Sequence, residues 1–262
     1  MYKRQRVRIG TDPVAQARAL QLHLQETRTK YYYHPDNGQN NETIVFCNLI
    51  DSKSDQGRLG RAFDAVLGAV EEVRTNTGND VTNPAKHVWF DFHAQVKNGK
   101  WDRLATLLTE LEPNLNSHGY FVAEPISTSS SSVPQWNIQK TQHGIIRTNC
   151  MDCLDRTNVV QSILGRKVLF EQLKVQDKEE RQKKSWSEKV RRKFEKRQQL
   201  TLPWEDGEAA HRALWADNAD AISRIYAGTP ALKRDFTRTG KRTRIGALDD
   251  GMNSLQRYYL NK

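Results

Sequence analysis

Gly144–Asn158 reads GIIRTNCMDCLDRTN, apolar and β-branched where it begins and rich in helix-capping residues where it ends. Gly144–Arg147 has the composition of a short strand. From about Arg156 to Leu173, Val160, Ile163, Leu164 and Leu173 return at helical spacing. A strand entering a helix through a short polar turn is half of a parallel βαβ unit. The segments on either side repeat that alternation. Thr43–Ile50 (TIVFCNLI) is an unbroken apolar run, the pattern of a strand buried on both faces. Leu59, Phe63, Val66, Leu67, Val70 and Val73 then follow helical periodicity. His87–His93 reads as a strand, Trp101–Leu111 as a helix, Gly119–Ala123 as a short strand and Glu208–Tyr226 as a helix. Thr11-Asp12-Pro13 opens a helix expected to reach about Arg28, and Pro35–Gly38 and Ser127–Val133 read as loops. The pattern predicts one α/β domain, a mostly parallel central sheet flanked by helices, with a Cys-x5-Arg phosphate-binding loop between strand and helix.

The chain has 262 residues, 37% hydrophobic and 27% charged, enough to bury a substantial core. No stretch approaches the roughly 18 apolar residues of a membrane span. The start, MYKRQRVRIG, lacks the apolar core of a signal peptide. Three cysteines cannot form a disulfide framework at this size, which favours a reducing compartment. Transmembrane, collagenous and disulfide-stapled classes are thereby excluded for these residues.

The net charge of +10 is uneven. Lys174–Arg197 carries net +6 and Leu232–Arg244 net +5, leaving the remainder of the chain slightly acidic. A solvated helix face accounts for the first run. Contact with a polyanion, either nucleic acid or an anionic membrane surface, is the sharper reading.

Within Arg147–Asn158, Cys150 and Arg156 stand as C-x-x-x-x-x-R, with Thr157 next. A loop of this length can curl so that its N–H groups point inward and, with the positive end of the helix, cradle a tetrahedral oxyanion. Arg156 can fold back as a bidentate clamp. The same positive field would lower the Cys150 thiol from its free value of about 8.5 and make it a nucleophile. Asp152 and Asp155 oppose this, because carboxylates raise a thiol pKa and repel phosphate. One of them kept protonated could serve the leaving alkoxide, while the other accepts backbone N–H bonds. Asp152 is the favoured acid, although spacing alone leaves Asp155 open. Other readings compete. Cys150 and Cys153 form C-x-x-C, half a zinc site or a redox pair, but Cys47 is far upstream and His143 lies outside a compact ligand spacing. A Cys–Arg pair at this spacing also arises by chance.

Arg147–Asn158 resembles the signature of the Sac-domain phosphoinositide phosphatases. The likeness extends through Asn48–Ile50, Gly57–Gly60 and Trp89–His93 to Leu214–Ser223, Asp235–Arg242, Asp250–Leu255 and Arg257–Leu260. It is nearest to the endoplasmic-reticulum and Golgi branch, whose members hydrolyse phosphatidylinositol 4-phosphate. By position the resemblance implies Cys150 as nucleophile, Arg156 as phosphate-binding arginine, and Met151, Asp152, Cys153, Leu154 and Asp155 as the loop that surrounds the phosphate, with Thr157 beside it. A phosphocysteine would form on Cys150 and be hydrolysed by water, with no metal or other cofactor. The resemblance also implies a lipid substrate in an anionic membrane at the cytosolic face of the endoplasmic reticulum and Golgi, the chain itself being soluble or peripheral. Residues 1–262 would be part of the catalytic domain, with 1–42 matching poorly and 174–200 a charged, mobile insertion. The family's N-terminal subdomain and paired membrane helices would lie outside this chain.

Further residues carry weaker expectations. Asp91 and His93, at a strand end, could approach the loop or merely satisfy the core. Trp215, Asp217, Asn218 and Asp220 read as braces of the site wall. Lys233, Arg234, Arg238, Lys241, Arg242 and Arg244 could meet an anionic headgroup, Lys241 and Arg242 above all. Cys47 reads as a core thiol. Two rival functions remain at this point: a lipid-binding module without turnover, and phosphotyrosine hydrolysis, whose loops are more Gly-rich. Nucleic-acid binding lacks interleaved aromatics in the basic runs.

Overall fold

The computed structural model describes residues 18, 20, 22, 43–77, 85–126, 135–179, 201–202 and 205–260. Its strands are β1 (Thr43–Asn48), β2 (Ala85–Trp89), β3 (Val122–Ile126), β4 (Gln135–Lys140) and β5 (Gly144–Asn149). Its helices are α1 (Ser54–Thr77), α2 (Phe92–Gln95), α3 (Leu104–His118), α4 (Asp155–Glu179), α5 (Glu205–Ala227), α6 (Arg234–Thr239) and α7 (Arg244–Leu260).

A three-stranded sheet runs in the order β2–β1–β5, with both pairings parallel. Asn48, at the end of β1, lies opposite Trp89 on one side and Asn149 on the other. The central place of β1 explains its unbroken apolar sequence. Val45, Cys47 and Leu49 face a core built with Leu104, Leu107, Leu108 and Leu111 of α3 and Val159, Val160, Ile163 and Leu164 of α4. Ile44 and Phe46 face the opposite way, against Phe63 and Val70 of α1. The sheet is therefore covered on both faces, as parallel sheets must be. Gly60 lets α1 settle on β2, since a Cβ there would lie 2.4 Å from the Trp89 ring.

Several boundaries differ from the sequence reading. β2 stops at Trp89 rather than His93, because the Asp91 carboxylate accepts the Ala94 N–H at 3.0 Å and opens α2. A 3₁₀ turn over Trp101–Arg103 precedes α3, which continues past Leu111 to His118. Gly119, at φ 63°, ends α3, so the following strand begins at Val122. β3 pairs antiparallel with β4, a strand that the polar QWNIQK gave no reason to expect. The expected helix Thr11–Arg28 (apart from Arg18, Leu20 and Leu22), Pro35–Gly38, Ser127–Val133 and residues 180–200 of the basic run lie outside the described residues. Among the described residues no helix is long and apolar enough to cross a membrane.

Candidate active site

β1 and β5 end side by side, and the Asn149 side chain donates to Asn48 Oδ1 at 2.9 Å, fastening the two ends. The chain leaves β5 at Cys150, turns through Cys153 at φ 54°, and enters α4 at Asp155. The sequence from Cys150 to Arg156 thus occupies the turn after a parallel strand and the first turn of a helix. Cys150 and Leu154 are buried, as are Asp155, Arg156 and Thr157, whereas Met151 and Cys153 are exposed.

Around the Cys150 sulfur stand two oxygens. The Thr157 hydroxyl donates to it at 3.4 Å, and the thiol faces Asp152 Oδ1 at 3.4 Å. The same Asp152 oxygen accepts the Leu154 N–H at 3.2 Å, which fixes the carboxylate inside the turn. The Cys153 sulfur lies 3.6 Å from the Cys150 carbonyl oxygen. The Cys150 and Cys153 side chains also influence each other within the turn. Bonding to Cys153 and burial push the Cys150 thiol up, with Asp152 adding to the effect and Thr157 and Arg156 opposing it. The Cys153 thiol moves down to about 6, through its bond to Cys150 and against partial burial. The better-hydrated sulfur takes the first charge.

This reverses the expectation that a positive field lowers the Cys150 thiol. Cys153 and burial are the chief causes, and the placement of Arg156 leaves only a small opposing field. Arg156 Nη1 donates to the Leu49 carbonyl at 3.3 Å and to Gln56 Oε1 at 3.4 Å, and lies 3.5 Å from Asp51 Oδ1. The guanidinium is therefore engaged by the end of β1, while Asp152 is the charge beside the sulfur. Asp51 and Gln56 were missed by sequence reasoning, although the rule that sites lie beyond strand C-termini could have pointed to Asp51. His93 Nδ1 bonds the same Asp51 oxygen at 2.8 Å, which links it to Arg156 through one carboxylate. Asp91 instead holds Ser52, at 2.8 Å from its N–H and 2.7 Å from its hydroxyl. Burial works against the Asp91 charge, but these donors outweigh it and hold the carboxyl below its usual range.

Asp155 faces away from the sulfur. It accepts the Leu232 N–H at 2.6 Å and the Arg257 guanidinium at 3.0 Å. Arg257 also donates to Thr229 Oγ1 and Ser223 Oγ at 2.8 Å each and to the Pro230 carbonyl at 3.0 Å. The two acids thus part in geometry: Asp152 faces the thiol, and Asp155 ties α4 to α7.

The wall behind the loop is braced as the sequence suggested. Asn158 donates to the Trp215 carbonyl at 3.1 Å and accepts from Asn218 at 3.2 Å. Asp217 pairs with Arg238 at 2.6 Å, and Asp220 accepts the Ala231 N–H at 3.0 Å and meets Arg234 at 3.3 Å. Arg242, expected to greet a headgroup, is instead held by the carboxylates of both Asp235 and Asp250. Burial works against its charge, yet those acids hold its pKa above the usual value. Lys241 is exposed, its backbone N–H bonded to Thr239 Oγ1 at 3.2 Å. Cys47 is a buried core thiol, pushed up to about 12 by burial and by Glu110. Among the described residues no cluster of His, Cys, Asp and Glu has the arrangement of a metal site.

A cysteine at the head of a strand-to-helix turn, with a carboxylate and a hydroxyl on its sulfur and an arginine in the following helix turn, marks a thiol-bearing α/β chain. Residues 1–97 match the family described as SacI homology domain, a span that begins ahead of the motifs quoted above. The chain is 36% identical over 219 residues to the phosphatidylinositol-3-phosphatase SAC1 of Saccharomyces cerevisiae, covering 82% of this chain and 30% of that protein. It is 36% identical over 249 residues to the phosphoinositide phosphatase SAC6 of Arabidopsis thaliana, covering 95% and 34% respectively. With the phosphatidylinositol-3-phosphatase SAC1-B of Danio rerio the identity is 40% over 217 residues, 83% of this chain and 31% of that protein. The chain spans about a third of the length of these relatives. It belongs to the family described as SacI homology domain, and these relatives are named as phosphoinositide or phosphatidylinositol phosphatases.

Proposed function

We propose that the chain carries the reacting part of a phosphoinositide phosphatase, with Cys150 as nucleophile. The observation that carries the reading is the Cys150 sulfur at the start of α4, between Asp152 and Thr157. Asp152 accepts the Cys150 proton, and the thiolate attacks phosphorus. The inositol oxygen leaves with the proton that Asp152 now holds, giving phosphocysteine and a free hydroxyl. The incoming phosphate draws Arg156 from Asp51 and Gln56 into a bidentate contact, which supplies the positive charge the pentavalent transition state needs. Water, deprotonated by Asp152, then cleaves the sulfur–phosphorus bond. Met151, Cys153, Leu154, Asp155 and Thr157 form the loop around this phosphate. Lys241, rather than the doubly held Arg242, is a cation available to a headgroup or to an anionic membrane surface.

The resemblance favours the 4-phosphate as substrate and the cytosolic face of endoplasmic reticulum and Golgi membranes as the place of action. The names of two relatives carry the 3-phosphate. Phosphate release is therefore to be measured from short-chain phosphatidylinositol 4-phosphate and 3-phosphate in parallel. Release from the 4-phosphate by the native chain, lost by at least about a thousandfold in Cys150→Ser, supports the mechanism. Equal release by both proteins refutes the nucleophile, and faster release from the 3-phosphate refutes the preference.

A further inference from the structure

We propose that α7 is a dimerisation helix, pairing in parallel with α7 of a second copy of this chain through the apolar stripe on its outer face. Ile245, Leu248, Met252 and Leu255 follow the alternating spacing of heptad positions a and d, and Tyr259 stands at the next a. The first four are 58–74% exposed, so that among the described residues the stripe is open to solvent along the helix. At about 100° per residue it lies opposite Gly246, Asp250 and Arg257, which hold α7 to the body. A Cβ on Gly246 would lie 2.2 Å from Asp235 Oδ2, Asp250 accepts the Lys233 N–H at 3.1 Å, and Arg257 is buried. These are heptad places b and f, which point away from the partner in a coiled coil. A second copy approaching the stripe therefore meets helix alone, with the two bodies on the far sides.

Residue type and charge point to the occupant. Isoleucine at the first a place, with leucine at both d places, is the pattern of two parallel strands. In that register Arg244, at g, stands beside Asp249, at e of the other copy, once on each side of the seam. Both residues are exposed. An antiparallel pair would set Arg244 against Tyr258 and Asp249 against Gln256, and would use neither charge. One charge of each sign beside the stripe suits a second copy better than an anionic lipid surface. The cations ahead of α7 are engaged within the chain: Arg234 by Asp220, Arg238 by Asp217, and Arg242 by Asp235 and Asp250. Four large apolar side chains and their rims from each copy close on the order of 1,000 Å², the size at which specific interfaces begin. As a free peptide, a helix of 17 residues would be marginal. Here α7 is already folded onto the body, with the Gly246 N–H donating to Thr243 Oγ1 at 2.9 Å in its first turn, so pairing carries no cost of ordering a helix.

The test is sedimentation equilibrium on the full chain from about 1 to 100 µM, where a monomer–dimer equilibrium with a Kd on the order of 10 µM is expected. Leu248→Glu, which sets two carboxylates in the seam, should raise that constant by at least about thirtyfold. Its circular dichroism and melting should match the native monomer, since Leu248 is exposed there. Arg244→Glu and Asp249→Arg should each weaken the dimer by about threefold or more, and the double variant should regain the native constant. Residues five apart are not neighbours on one helix, so that recovery can only come across the seam. A chain still monomeric at about 100 µM overturns the proposal. So does a monomer that instead sediments with phosphatidylserine vesicles, a dimer indifferent to Leu248→Glu, or a double variant no better than the single ones.

Discussion

Arg257→Met should unfold this chain far more readily than any change in its basic surface. The guanidinium is buried, with only 10% of the side chain exposed against 9% for its partner Asp155. It donates to four groups at 2.8 to 3.0 Å: Asp155, Thr229, Ser223 and the Pro230 carbonyl. Methionine keeps much of the packing and removes every donor. The two hydroxyls can rotate toward other acceptors. Asp155, however, keeps only the Leu232 N–H and becomes a buried charge without its cation. Removing one member of a buried pair costs about 3 to 5 kcal/mol. With a urea dependence of about 3 kcal/mol per molar for a chain of this size, the unfolding midpoint should fall by roughly 1 to 1.7 M. The double variant Asp155→Leu, Arg257→Met strands neither charge and should regain most of the loss. Urea titrations followed by tryptophan fluorescence would decide. A single-variant shift below about 0.3 M, or a double variant no better than the single, refutes the reasoning.

His118 supplies a prediction with a sign. Burial pushes its pKa down to about 4, so between about pH 6.5 and about 4 the unfolded chain binds a proton that the folded chain refuses. Stability should therefore fall as pH drops through that window, by up to about 3 kcal/mol from this group. His118→Gln should flatten that fall in urea titrations at about pH 7 and about pH 4.5; an unchanged slope argues against it. Gly60→Ala should destabilise by about 1 to 3 kcal/mol, despite alanine's better helix propensity, because its Cβ would meet the Trp89 ring at 2.4 Å. A thermal midpoint at or above wild type would show that the ring moves aside freely.

The sheet was legible because its information is local and redundant. Thr43–Ile50 is apolar at every place where one helix layer or the other covers it, and the strand-to-helix passage at Cys150 is written in consecutive residues. What escaped was set by partners distant in sequence. β2 ends early because Asp91 prefers the N–H groups of Ser52 and Ala94. β4 exists because it pairs with β3, since its own polar sequence specifies little. Arg156 looks toward the end of β1, and no spacing within the loop reveals that Asp51 and Gln56 wait there. Arg242 read as a free cation, yet Asp235 and Asp250 are seven and eight residues away and the turn between α6 and α7 folds them around it.

The loop's two acids show how one short segment can carry opposite electrostatic duties. Asp152 and Asp155 are three residues apart, but the left-handed turn at Cys153 lies between them and sends them in different directions. Asp155 lies at the first turn of α4, where the helix end favours a carboxylate, and Arg257 and the Leu232 N–H satisfy it completely. Its charge is spent inside the protein and does not repel an approaching phosphate. Asp152 has only the Leu154 N–H and the Cys150 thiol, and the thiol is a weak donor. It is the acid with a proton within reach and without a cation to hold it ionised. On the proposed mechanism it is the acid that would take the Cys150 proton as the thiolate attacks, a transfer that leaves the net charge beside the phosphate unchanged. The arrival of the phosphate rewards Arg156 for leaving Asp51. If the proposed function holds, the resting arrangement, with the Cys150 thiol pushed up and Arg156 engaged, is that of a site that ionises against its substrate.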